Sequence, residues 1–135
     1  MKTIIAVLAV VLALLHLAPP ALAHHSFAVE YDKEKPVEGT GVISRVEWTN
    51  PHMRVYVDVT GPDGKVTNWN FELGAIPVLL KQGWRRDSLK QGDQVTVEGS
   101  LAKDGSKSAN ARSVMLPDGR RVFAGSSGGN APPNQ

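Results

Sequence analysis

Trp48-Thr49-Asn50-Pro51-His52-Met53-Arg54-Val55-Tyr56-Val57-Asp58-Val59 decides how the rest of this chain is read. Met53, Val55, Val57 and Val59 form one apolar row, and His52, Arg54, Tyr56 and Asp58 form the opposite, polar row. A period of two is that of a half-buried β-strand, so the rows are expected on opposite faces of a sheet. His52 then belongs to the face open to solvent or ligand, and Asn50-Pro51 is a corner that ends the preceding strand. Downstream, Gly61-Pro62-Asp63-Gly64-Lys65 has the composition of a hairpin loop. Val66 to Leu73 alternates again, with Trp69, Phe71 and Leu73 apolar and Asn68, Asn70 and Glu72 polar. Keeping both apolar rows on one side pairs Asp58 with Asn68, Tyr56 with Asn70 and Arg54 with Glu72. The last pair sets opposite charges across from one another, worth about 0.2–1 kcal/mol at an exposed position.

Working outward, Val37 to Trp48 is rich in strand formers, and Gly39 and Gly41 suggest a bend or bulge near its start. Strict alternation puts Val42, Val46 and Trp48 on one face and Ile43, Arg45 and Glu47 on the other. Before it, Phe27 to Val29 reads as a short extended piece, and Asp32 to Pro36 as a polar turn. After the third strand, Pro77 suits the first turn of a short helix, Val78, Leu79 and Leu80 offer apolar cover, and Gly83 suits a left-handed cap with Trp84 folding back. Gln94 to Leu101 and Ala109 to Leu116 are two more strands, the inward face of the latter left open by its sequence. Arg121 to Phe123 fits a short edge strand. The expected class is all-β with one short helix, in the order β1-β2-β3-α-β4-β5 of a five-stranded, OB-fold-like Greek-key barrel. A small open sandwich of the same strands is the competitor.

Lys2, the apolar run from Ile4 to Leu17 and Ala21-Leu22-Ala23 describe a secretory signal peptide, with cleavage expected after Ala23. The predicted organisation is a cleaved segment over 1–23, an N-terminal arm over 24–36, a β-domain over 37–124 and a disordered tail over 125–135. The destination is the periplasm or the exterior, and no later segment approaches the ~20 apolar residues of a membrane span. Of 15 basic and 13 acidic residues only Lys2 lies in the cleaved segment, so the mature net charge is +1. That balance argues against a nucleic-acid partner. The chain has no cysteine, which excludes disulfides and thiolate chemistry and leaves burial to hold the domain together.

The chain resembles a family of small exported bacterial proteins that carries no assigned function. The resemblance lies in Ala23-His24-His25-Ser26-Phe27, in Val46 to His52, in Phe71-Glu72-Leu73-Gly74, and in Gly83-Trp84 with Arg86-Asp87-Ser88-Leu89. It continues through Gly92 to Gly99 and the Pro117-Asp118-Gly119 turn. It spans nearly the whole mature domain and brings no catalytic residues with it.

Three histidines follow the expected cleavage point: His24, His25 and His52. There is no zinc-protease, phosphate-loop or calcium-loop motif, and no catalytic triad is legible from spacing. A mature first residue His24 would offer an amine and an imidazole to one ion, His25 a second imidazole, and His52 a third. Such nitrogen donors suit copper above other common divalent ions, with zinc and nickel also compatible. Proton competition is mild, because the amine and imidazole titrate near ~7.7–8.0 and ~6.5. The first expectation is therefore a non-enzymatic periplasmic metal-binding module. The second is a metal-free adaptor whose polar face, with Arg54, Tyr56, Asn68, Asn70 and Glu72, docks a protein, a glycan or a small ligand. A copper-dependent redox enzyme ranks last. The histidines also have plainer readings, His24 and His25 as a polar start and His52 as a corner residue bonded to a backbone carbonyl.

Overall fold

The structure, a computed structural model, describes residues 27–125. It consists of α1 (Phe27–Glu30), β1 (Tyr31–Glu47), β2 (Arg54–Thr60), β3 (Val66–Glu72), α2 (Ile76–Lys81), β4 (Gln94–Ala102), β5 (Ser108–Met115) and β6 (Arg121–Phe123). The strands form one six-stranded sheet in the order β3-β2-β1-β4-β5-β6, not the two sheets of a sandwich. All neighbours are antiparallel, and an added parallel pairing of β3 with β5 (Phe71 with Ala109) joins the sheet back on itself. The chain is thus β-rich with two short helical pieces among the described residues.

The β2–β3 hairpin follows the alternation of its sequence, pairing Arg54 with Glu72, Tyr56 with Asn70 and Asp58 with Asn68. Met53, Val55, Val57, Phe71 and Leu73 are buried on its inner face. Its loop closes as composition predicts: Gly64 takes φ 77°, and Asp63 Oδ1 accepts the Lys65 N–H at 3.1 Å. The Asp-Gly turns at Asp104-Gly105 and Asp118-Gly119 repeat this device, each aspartate accepting the N–H two residues on. Asn50-Pro51 is a cis peptide at the corner.

β1 departs from strict alternation. Ile43 is buried and Val42 is exposed, the reverse of a face shared by Val42 and Val46, because the register shifts between Ile43 and Arg45. One extra residue, Ser44, flips the parity, so Ile43 and Val46 both reach the core. Gly39 and Gly41 are not the bulge. They admit close neighbours instead, since a Cβ on Gly41 would lie 2.1 Å from the Asp58 carbonyl oxygen and one on Gly39 2.9 Å from the Phe71 ring. A second parity break explains why the inward face of β5 was open. Its register shifts against Glu98 and Gly99, leaving Arg112 unpaired, so Ala109, Ala111 and Val114 are all buried.

The N-terminal part differs most from the expectation. Phe27 to Val29 is a helical turn rather than an extended piece, and its spacing stacks the Phe27 ring on Tyr31 at 5.8 Å. β1 begins at Tyr31, ahead of Val37. The polar turn survives inside it as an excursion, with Asp32 paired to Leu101 and Pro36 to Ser100, and Asp32 Oδ1 accepting the Glu34 N–H.

α2 ends in a Schellman motif: Trp84 N–H donates to Leu79 O, Gly83 N–H to Leu80 O, and Gly83 takes φ 89°. Trp84 folds back into the core and donates its indole N–H to Phe123 O at 2.8 Å. The helix contributes less cover than expected. Leu79 is fully buried, whereas Val78 and Leu80 are 41% and 45% exposed, because six residues present only one narrow face to the core.

Candidate functional site: a buried carboxylate beneath His52

The outer face of β2 and β3 carries the polar row. At one end of it is Glu72, which is only 5% exposed, so this part of the face is enclosed rather than open. The carboxylate meets three elements. Arg54 Nη2 donates to Glu72 Oε2 at 2.5 Å, as the pairing across the hairpin requires. His52 Nδ1 lies 3.2 Å from Glu72 Oε1, and its side chain is 41% exposed. Tyr31, at the start of β1, is buried beside the same carboxylate. Burial, and then the nearby Glu72 charge, push the Tyr31 hydroxyl well above the usual phenol range. A buried carboxylate would be costly alone, and here the Arg54 guanidinium offsets that cost.

The remaining members of the row hold one another. Arg54 Nη1 donates to Asn70 Oδ1 at 3.4 Å. Tyr56 donates to Glu47 Oε2 at 3.3 Å, and the Arg45 guanidinium lies 3.9 Å from its ring centroid. Asn68 Nδ2 donates to Asp58 Oδ1 at 2.7 Å and to Ser44 Oγ at 2.9 Å. Met53 points into the core and is excluded as a ligand.

The geometry of His52 has a chemical consequence. In the neutral imidazole one ring nitrogen carries the proton and the other a lone pair. A carboxylate oxygen 3.2 Å from Nδ1 favours the tautomer protonated there, which leaves the lone pair on Nε2. Metal-binding histidines characteristically have their second nitrogen held by a carboxylate in this way. His24, His25, the signal segment and the tail beyond Gly125 lie outside the described residues. Among the described residues no group of three His, Cys, Asp or Glu side chains is placed to hold a metal ion, and no helix is long and apolar enough to cross a membrane.

Sequence reasoning missed Tyr31 and Lys103. Lys103 N–H donates to Glu30 O at 2.9 Å, and its ammonium donates to Ala28 O at 2.6 Å. A cleft of about 370 Å³ opens here, lined in part by Glu30, Tyr31, Arg54, Lys103 and Ser108. The spacing of Phe27 and Tyr31 is the one sequence signal that could have marked α1. Nothing local marks Lys103, whose contacts join segments far apart in the chain.

A family model matches residues 11–111. The chain belongs to DUF6152, a family of unknown function. This agrees with the resemblance drawn from the motifs, namely to a family without an assigned activity. No curated protein and no solved structure matches the chain. Membership in DUF6152 therefore leaves the chemistry of the site to be argued from its residues.

Proposed function

We propose that this chain is a non-enzymatic periplasmic binding protein that takes copper or a similar divalent ion through His24, with His25 and His52 completing the site. The observation that carries the reading is the 3.2 Å contact between His52 Nδ1 and the buried Glu72 carboxylate, which favours a lone pair on Nε2. The first described residue, Phe27, is stacked on Tyr31 beside that same carboxylate, and only three residue steps separate it from His24. Three extended steps span at most about 11 Å. The pairing order supports an OB-type barrel as the scaffold, since β1 lies between β2 and β4 while β3 returns to β5. The signal-like segment supports export.

Titration of Cu(II) into correctly processed protein tests the reading, beside a form extended by one N-terminal methionine and a His52→Ala form. The processed protein should bind at least tenfold more tightly than either. Equal affinity in all three forms would overturn it.

A metal-free adaptor is the second reading, favoured by the cleft between Arg54 and Lys103. Its ligand would have to fit a polar face whose Arg54, Tyr56, Asn68, Asn70 and Glu72 are already engaged with one another or with neighbouring side chains. Binding of a small polar ligand that survives His24→Ala and is lost in Arg54→Ala would favour this reading over the first.

A further inference from the structure

We propose that α2 and the segment after it form a docking surface for an anionic lipid bilayer, with Val78 and Leu80 entering the interface and Lys81, Arg86 and Lys90 meeting its phosphates. The surface shares no residue with the His52–Glu72 cluster, so it stands apart from the metal reading. Its first support is a contrast among the cations. The side chains of Lys81, Arg86 and Lys90 make no hydrogen bond, ion pair or ring contact among the described residues, and all three residues are exposed. Every other described lysine and arginine side chain meets a carboxylate, a carbonyl oxygen or an aromatic ring. The unengaged cations thus fall within ten residues, 81–90, where four cations accompany one carboxylate, Asp87. The fourth, Arg85, donates to Trp84 O at 2.7 Å and to Leu80 O, which lays its guanidinium against the end of α2.

The apolar half of the surface is α2 itself. Leu79 is its one buried residue, and residues 77–78 and 80–83 are exposed on either side of it, so the turn projects. Val78 and Leu80 are 41% and 45% exposed on this turn. The segment that follows is held firmly. Trp84 and Leu89, each 3% exposed, fasten the chain on both sides of Arg86. Between them Ser88 N–H donates to Arg85 O and Ser88 Oγ accepts the Arg85 N–H, a closed turn that keeps Arg86 at the surface. Projecting apolar side chains beside unpaired cations are the composition of an interfacial surface, in which the former enter the headgroup boundary and the latter meet anionic lipid. An acidic protein would need a shaped pocket for Val78 and Leu80, whereas a bilayer accepts them without one.

Co-sedimentation of the processed protein with vesicles tests the surface, since that form lacks the apolar run from Ile4 to Leu17. The wild type should bind vesicles of equal parts phosphatidylglycerol and phosphatidylcholine, and should bind pure phosphatidylcholine at least roughly tenfold more weakly. Val78→Ser with Leu80→Ser should weaken binding to the anionic vesicles roughly tenfold. Each cation near an anionic surface contributes roughly fivefold, so Lys81→Gln, Arg86→Gln and Lys90→Gln together should weaken it roughly hundredfold. The same change at Lys33, Lys35 and Lys65, each ion-paired elsewhere, alters the net charge equally and should leave binding within about twofold. Thermal unfolding of each variant establishes that it is folded. Equal losses in the two triple variants would reduce the effect to net charge and overturn the surface. No binding to the anionic vesicles would also overturn it. So would poly-glutamate binding that matches the vesicles and ignores the changes at Val78 and Leu80, since the partner would then be an acidic chain.

Discussion

Two glutamates on this sheet are built alike and end differently. Glu98 on β4 accepts hydrogen bonds from Arg121 and Ser113, has Arg112 3.6 Å away, and its side chain is 21% exposed. Glu72 on β3 also holds an arginine, yet its side chain is 7% exposed and its second oxygen faces a histidine. The Arg121 hydrogen bond, which outweighs the opposing effect of burial and is helped by the Ser113 hydrogen bond, holds Glu98 below the usual carboxylate range. At Glu72 the pairing consumes one face of an imidazole and leaves the other available. The same carboxylate–arginine chemistry thus closes one region of the sheet and orients a donor in the other.

The largest expected contrast is in stability. Glu72→Gln should cost about 3 kcal/mol in urea unfolding, the low end for breaking a buried pair, because Arg54 retains some exposure. Glu98→Gln should cost no more than about 1 kcal/mol, since its arginine partners are more than half exposed. Similar losses for the two would erase the distinction between an enclosed and a surface carboxylate.

Next in size is an alkaline effect confined to the Glu72 region. The raised pKa of Tyr31 means the folded state favours the neutral phenol. Its contribution is present below the ordinary tyrosine range of about 10 and is lost as pH rises through the folded pKa. Tyr31→Phe, costing about 1 kcal/mol near neutrality, should lose less stability than the wild type as pH climbs past that range. Parallel declines in alkaline urea titrations would contradict it.

The smallest effect lies on the Glu98 side and has the opposite sign. A depressed carboxylate stabilises the fold above its ordinary titration range, and this is lost as pH falls through the depressed value. The stability difference between wild type and Glu98→Gln should shrink toward zero in acid. A difference that stays constant down to low pH would mean the arginines do not act through the ionised form.

The contrast between the regions also marks what sequence reading can reach. The register of Arg54 with Glu72 was legible, because uninterrupted alternation on both sides of a short loop admits one economical pairing. The faces of β1 and β5 were not, since one inserted residue at Ser44 and one at Arg112 reverse the parity, and neither residue type announces a bulge. His52 was legible as a member of the polar row. Its contact with an enclosed carboxylate was not, because the burial of Glu72 depends partly on Tyr31, which arrives from the far end of β1. The helix cap at Gly83 was readable for the reason the hairpin was: a local conformation only glycine accepts freely.

The central claim is that Glu72 fixes the His52 proton on Nδ1 and leaves the lone pair on Nε2. Two-bond nitrogen–proton NMR correlations of the His52 ring, recorded in metal-free protein at a pH where the imidazole is neutral, report the tautomer directly. The account predicts the Nδ1–H tautomer in the wild type and its loss in Glu72→Gln. An Nε2–H tautomer in the wild type would contradict it.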